Sequence, residues 1–316
     1  MRILRRTAII VAAVVAAART IPAQQAAKSG LQRLLEAELA RFPGHAGVWV
    51  RHLSLGEEAA VHADDAFNSA SVIKLGVLAL AFQMADRGEL SLAERVTINA
   101  ADFRGGSGIF RYNDPGLQPT LRDVLLQMII TSDNTATDIA IAKVGGVARV
   151  NAWLRQSGYA DALKLNMTTG DLFAKYGALP QGSNRNEKTN ADRTYWLGEM
   201  TPRATGRLIE AIQRCSDGSA PAPVIASQKS CADMMRMMRG QQSGARRLPH
   251  FVNVSVAHKT GDFPPVVAND VGIIFARSGP IVVSFFGNAI EGPYAEAEDR
   301  IGRVAQIIVG YFDGSP

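Results

Sequence analysis

The stretch Phe67-Asn68-Ser69-Ala70-Ser71-Val72-Ile73-Lys74 and the apolar run after it decide how the chain is read. From Ser71 to about Gln83 almost every residue is apolar, with Leu75, Val77, Leu78, Leu80 and Phe82 among them. A helix apolar on all sides is a buried one, so a single buried helix is expected from Ser71 to about Arg87. Ser71 and Lys74 then lie one turn apart on the same face. A serine hydroxyl is a weak nucleophile until a neighbouring base takes its proton. A lysine can be that base once burial lowers its pKa. Ser-x-x-Lys alone is a common accident of sequence, and its meaning depends on what else converges on it.

On either side of this helix the pattern changes. Gly30 to Phe42 carries Leu31, Leu34, Leu35 and Leu39 at helical spacing and stops at Pro43-Gly44. Val48 to Leu53 and Ala59 to His62 read as a strand hairpin around Leu55-Gly56-Glu57. After the buried helix, Thr120-Leu121-Arg122-Asp123 is a capping-box start, and Asp133-Asn134 can cap a further helix ending at Gly145-Gly146. Val150 to Gln156, Pro202 to Gln213 and Ser227 to Arg239 add three more helices. Strands return at Val254 to Lys259, Asp270 to Arg277 and Ile281 to Asn288, and a helix from about Glu296 to Phe312 closes the chain. The expected fold class is α+β: an antiparallel sheet built from both termini with flanking helices, plus an inserted all-α domain. The boundaries are 24–66 and 225–316 for the sheet domain and 67–224 for the helical one. The longest irregular stretch, Met167 to Met200, is read as a functional or mobile loop.

The chain has 316 residues, 47% hydrophobic and 20% charged, an ordinary globular composition. Its start is different. Met1 to Arg6 is basic, Thr7 to Ala18 is apolar but too short to span a bilayer, and Pro22-Ala23 offers a small-residue exit. Residues 1–23 therefore read as a secretory signal peptide, with an uncleaved anchor as the alternative. Cleavage removes four arginines and no acid, and the formal charge falls from +5 to +1. A nearly neutral chain without a basic cluster has no electrostatic footprint for nucleic acid. An exported monomer without stable membrane association is expected. Cys215 and Cys231 flank a Ser/Gly/Pro/Ala loop between two helical patterns; a single disulfide and two buried thiols both stay open. His45, His52, His62, His250 and His258 show no metal-ligand spacing, so no metal or cofactor is expected. Met234, Met235, Met237 and Met238 read as core.

Two further motifs join the first: Ser132-Asp133-Asn134 between two helices, and Lys259-Thr260-Gly261 at the end of the first C-terminal strand. Ser-x-x-Lys, Ser-Asp-Asn and Lys-Thr-Gly in this order resemble the signature of class A serine β-lactamases and penicillin-binding proteins. Gly106-Ser107-Gly108-Ile109, Met200-Thr201-Pro202 and Asn269-Asp270-Val271 resemble that family too, and the likeness covers about residues 30–312. The resemblance implies that Ser71 attacks the carbonyl carbon with Lys74 as the nearby base. It implies that Ser132 passes a proton to the leaving nitrogen, helped by Lys259, whose charge also attracts a substrate carboxylate. Asn134 would hold a side-chain amide of the substrate, Thr260 and Gly261 would line its site, and the backbone N–H groups of Ser71 and Asp262 would form the oxyanion hole.

Three departures stand out. The family's Glu-x-x-Leu-Asn motif, whose glutamate activates the deacylating water, is missing. Counting forward from Ser132-Asp133-Asn134 lands near Thr169, and counting back from Met200-Thr201-Pro202 lands near Glu187; Glu187 and Asp171 are the candidate bases. Asp262 puts a carboxylate where the family has a small or neutral residue, and would repel an anionic substrate unless it turns away or pairs with a cation. No arginine begins the strand at Asn269, and Arg277 lies at its far end. The implied function is an exported serine hydrolase opening β-lactams through an acyl-enzyme on Ser71. The alternatives are a penicillin-binding D-Ala-D-Ala peptidase acting on cell-wall peptides, and a non-enzymatic β-lactam or muropeptide sensor. The sensor is disfavoured because no membrane-spanning segment follows Pro316.

Overall fold

The computed structural model describes residues 29–220 and 225–314, so the expected signal peptide lies outside the described residues. Five strands form an antiparallel sheet in the order β2-β1-β8-β7-β6: β1 His45–His52, β2 Glu58–Val61, β6 Val256–Phe263, β7 Val267–Ala276 and β8 Gly279–Asn288. β1 joins the C-terminal strands through β8, with Val48 opposite Phe285 and Val50 opposite Val283. Three short strands, β3 Phe67–Asn68, β4 Leu163–Leu165 and β5 Gly198–Met200, pair separately in the order β3-β5-β4. They are too short to leave a period-two signature, which is why sequence reading passes over β4 and β5.

Among the described residues the α-helices are α1 Gly30–Leu39, α2 Lys74–Asp86, α3 Leu121–Ile130, α4 Asn134–Lys143, α5 Gly146–Gln156, α6 Thr169–Gly177, α7 Arg185–Ala191, α8 Pro202–Ser216, α9 Gln228–Arg239 and α10 Tyr294–Asp313. Strand alternation divides the core in two. Val48, Val50, Ile274 and Phe285 face α1 and α10 and meet Leu31, Leu35, Ile301, Val304 and Ile308. Trp49, Val271, Ile273 and Phe286 face the helical body, where they join the large core around α2, α3, α4 and α9. Gly206 lets α8 lie directly on the sheet, because a Cβ there would sit 2.1 Å from the Trp49 ring. The four methionines of α9 are all buried in this core. Cys215 and Cys231 form a disulfide between α8 and α9, which settles the open choice.

Three expectations are corrected. The run from Ser71 opens as a 3-10 turn, Ala70–Ile73, before α2 begins at Lys74. Ten of the thirteen α2 residues are buried, as an all-apolar run requires. The first C-terminal strand starts later and runs on to Phe263, because Asp262 and Phe263 still pair with Ala268 and Val267; Lys259-Thr260-Gly261 therefore sits inside β6. The 167–200 stretch is not structureless. Thr168 and Asp171 make a reciprocal capping box for α6, and Asn184 caps α7.

Candidate active site

The 3-10 turn that carries Ser71 is anchored to the sheet by asparagines. Asn269 Nδ2 donates to the carbonyls of Asn68 (2.9 Å) and Ser69 (3.1 Å), and Asn68 Oδ1 accepts from the Ala70 N–H at 3.0 Å. Asn288 Oδ1 accepts from the Asn68 N–H at 2.7 Å. Gly261 is needed opposite the turn, since a Cβ there would lie 2.5 Å from the Ser69 carbonyl oxygen. Ala70 holds a φ of 41° and Ser132 a φ of 56°. Non-glycine residues in this region cost about 1–3 kcal/mol each and persist where the surroundings over-determine them. Both strained positions adjoin the reactive hydroxyls.

The second motif is placed by its aspartate. Asp133 Oδ1 accepts from the Ala136 N–H at 2.8 Å and caps α4; Oδ2 accepts from the N–H groups of Ile109 (2.7 Å) and Phe110 (2.8 Å). One carboxylate thus fixes both the helix start and the 106–110 loop opposite it. Ser132 and Asn134 are left to face inward.

Lys74, fully buried, donates to the Ser132 carbonyl (2.7 Å), the Ser132 Oγ (3.2 Å) and Asn134 Oδ1 (2.9 Å). These three acceptors use the three N–H bonds of an ammonium. Its partner is therefore Ser132, where sequence spacing pointed to Ser71; among the described residues no hydrogen bond joins Lys74 to the Ser71 hydroxyl. Lys259, also fully buried, donates to the same Ser132 Oγ at 3.1 Å and to the Thr260 carbonyl at 2.8 Å. Burial and the neighbouring Lys259 charge hold the Lys74 pKa well below its usual value. Burial pushes Lys259 down to about 8, against the pull of Asp262 and Asp270. Two cations crowded on one hydroxyl in a dry setting favour a neutral amine at one of them.

Ser71, Ser132 and Asn134 open on one cavity of about 670 Å³ together with Asp262, Tyr294 and Glu298. Thr260 is fully buried with its hydroxyl 2.7 Å from the Ser243 Oγ, and Gly261 packs against the nucleophile turn; neither lines the cavity. Asp262 is paired with Arg247 and accepts from the Tyr294 hydroxyl at 3.2 Å. Arg247, Tyr294, Asn288 and Glu298 belong to no short motif, which is why the sequence did not single them out. His258 Nδ1 lies 2.8 Å from Asp270 Oδ1 behind β6. Arg277 pairs with Asp313, away from the cleft.

The wall contributed by α6 has no carboxylate facing Ser71. Thr169, Leu172 and Phe173 line it. Asp138 Oδ1 accepts from the Thr169 N–H and Oγ1, both at 2.7 Å, and Oδ2 accepts from the Gly170 N–H (2.9 Å) and Arg104 Nε (2.8 Å), pinning α6 to α4. The expected bases lie elsewhere. Asp171 is exposed and accepts from the Thr168 hydroxyl at 2.7 Å, and Glu187 is exposed and accepts from Asn184 Nδ2 at 3.0 Å. Both carboxylates serve helix starts, where an acid offsets the helix dipole. On a separate surface, the ligand atoms of His45, His62 and Asp65 lie within 4.8 Å of one another, a grouping that sequence spacing did not reveal.

Known proteins with this arrangement are found at the level of sequence and of structure. The sequence profile of the β-lactamase enzyme family matches residues 27–312. β-Lactamase L2 of Stenotrophomonas maltophilia is 31% identical over 272 residues, covering 84% of this chain and 82% of its own. The crystal structure of a β-lactamase from Sphaerobacter thermophilus superposes with a TM-score of 0.73 at 27% identity, covering 91% of this chain and 98% of that one. A substituted form of PBP-A, in an acyl-enzyme complex with penicillin G, gives a TM-score of 0.72 at 25% identity, covering 90% and 96%. With a profile spanning nearly the whole described chain and a relative this similar across most of it, the chain belongs to the β-lactamase enzyme family.

Proposed function

We propose that the protein is an exported serine hydrolase that takes an acyl group from a β-lactam or a related acyl amide onto Ser71. The observation that carries this is the Ser132 hydroxyl, held between the buried amines of Lys74 and Lys259 and opening with Ser71 on one cavity. In this reading a neutral Lys74 takes the Ser71 proton as Oγ bonds to the carbonyl carbon. The tetrahedral oxyanion is met by the backbone N–H groups of Ser71 and Asp262. Ser132 gives its proton to the departing nitrogen as the C–N bond breaks, and regains one from Lys74. Lys259 keeps the Ser132 hydroxyl oriented, and Asn134 offers its amide to the substrate side chain. Water then attacks the Ser71 ester.

Purified protein lacking residues 1–23 should gain the mass of benzylpenicillin on the Ser71 peptide, and Ser71→Ala should gain none. No adduct and no hydrolysis of a chromogenic cephalosporin at high enzyme concentration would overturn the proposal.

A second reading, a penicillin-binding peptidase, is favoured by one observation: the α6 wall carries Thr169, Leu172 and Phe173 where a deacylating carboxylate is needed. The likeness to PBP-A, whose substituted form was seen as an acyl-enzyme, accords with it. An adduct that outlasts the assay supports the peptidase, and rapid return to the free mass supports the lactamase. No described helix is long and apolar enough to cross a membrane. The cavity suits a small molecule or a peptide end.

A further inference from the structure

The cavity ends at a charged cluster that bears on which substrates can enter. Arg247 is only 2% exposed and stands behind two carboxylates, Asp262 at 26% and Glu298 at 18%. Its Nε donates to Glu298 Oε1 at 3.1 Å, one Nη donates to the Asn269 carbonyl at 2.9 Å, and the other donates to Asp262 and to the Tyr294 hydroxyl at 3.0 Å. A guanidinium has five N–H donors, so four are engaged inside the protein. Burial opposes the Arg247 charge, but Asp262, Tyr294 and Asp270 outweigh it and hold its pKa above the usual value. This cation is therefore committed to its own carboxylates. A substrate carboxylate could reach it only by displacing a charge-assisted bond.

All three side chains line the cavity, but Asp262 and Glu298 expose far more of their surface to it than Arg247 does. Two carboxylates share this one guanidinium, so each keeps acceptor lone pairs free toward the cavity. Lys259 is fully buried and bound to Ser132, and the Asp262 charge favours its protonated form. Carboxylates accept hydrogen bonds and donate none. Resting on the acyl-enzyme reading above, we infer that Asp262, Glu298 and Arg247 form a subsite that takes an N–H donor, a primary amide or an ammonium, in place of a free carboxylate on the leaving side of the substrate.

The test compares two isosteric reagents, benzylpenicillin and its carboxamide, in which the carboxylate alone is replaced. Acylation of Ser71 is followed by intact-protein mass for the wild type, Asp262→Asn, Asp262→Ser and Glu298→Gln. The wild type should be acylated by the carboxamide at least as fast as by the acid. Each Asp262 variant frees Arg247 donors while Glu298 keeps the buried charge paired, and should shift the preference toward the acid by about ten-fold or more, as like-charge removal at a desolvated site does. Glu298→Gln should shift it the same way by less. A wild type that strongly prefers the acid, or a preference that stays within about two-fold when Asp262 loses its charge, would overturn the inference while leaving Ser71 acylation standing. If neither reagent acylates the wild type, the acyl-enzyme reading falls and the subsite falls with it.

Discussion

Two walls face each other across the cleft, and they are built from different chemistry. The β6 side is dense with charge: Lys259 on Ser132, Asp262 on Arg247, and His258 on Asp270 behind the strand. The α6 side presents Thr169, Leu172, Phe173, Tyr195 and Leu197, with the half-buried Asp138 of α4 turned away to hold the helix start. On the proposed mechanism, proton transfer to and from Ser71 and the leaving nitrogen would draw on the first wall together with Lys74 of α2 and Ser132 before α4. Clearing the acyl-enzyme would need a base for water, and the second wall presents no carboxylate to the cavity. The difference separates a protein that acylates readily from one that turns over readily.

The largest effect should come from the acylating side. Lys74→Ala removes the amine that bridges Ser132 and Asn134, and the acylation rate with benzylpenicillin should fall roughly 10²–10⁴-fold, the span of general acid–base assistance. Circular dichroism would check that the fold survives the loss of this buried group. An acylation rate close to wild type would remove Lys74 from the proton path and leave Lys259 as the remaining amine.

Next comes an attempt to erase the contrast. Leu172 lines the cavity and makes no hydrogen bond through its side chain, so Leu172→Glu adds a carboxylate without breaking the Thr169–Asp138 contacts. Deacylation, read as the decay of the intact adduct mass, should quicken by about 10²-fold, the lower end of general-base assistance. An unchanged decay with acylation intact would mean that water reaches the ester from another direction.

A pH profile sharpens the same comparison. Acylation should rise as Lys74 becomes neutral and fall above about pH 8 as Lys259 loses its proton. Lys259→Arg, whose guanidinium does not titrate in this range, should abolish the upper limb. Stability moves differently. The Lys259 pKa is depressed in the folded chain, so between about 8 and 10.5 the unfolded chain binds more protons. Its contribution to stability therefore rises with pH across that window, which denaturant titrations at pH 8 and 10 would read.

The charged wall was legible in the sequence because its residues come in fixed triplets. Ser71, Lys74, Ser132 and Lys259 all stand in these motifs, and the structure brings Lys74, Ser132 and Lys259 together on one hydroxyl with Ser71 on the same cavity. The antiparallel sheet built from both ends was legible too, through short apolar runs such as Val48 to Val50, which pair with Val283 to Phe285. What escaped were long-range single contacts. Asp262 is marked by its place after Lys-Thr-Gly, but its partner Arg247, fifteen positions away, belongs to no motif, and Asn288 reaches Asn68 across 220. The α6 wall escaped for another reason: its helices are short and held by caps, and the stripe of Leu172 and Tyr176 on α6 is too brief to announce a helix.

The smallest expected effect is the one that tests the α6 wall most directly. Counting along the sequence singles out Asp171 and Glu187 as bases for the deacylating water. Both are acids in the stretch where a base belongs, but a base must reach the water directly or through one intermediary. Asp171 spends its carboxylate on Thr168 at the start of α6, and Glu187 spends its own on Asn184 at the start of α7. Neither lines the cavity. Asp171→Asn and Glu187→Gln should therefore leave the lifetime of the benzylpenicillin adduct within about two-fold of wild type, since neither group has the reach for general-base work. The cost should appear as a weakened helix start worth roughly 0.3–1.5 kcal/mol, visible in thermal melts of the free protein. An adduct that persists far longer in either variant would show that the 167–200 segment closes over the acyl-enzyme and carries an acid to it. In that case the contrast between the two walls would hold only for the empty cleft.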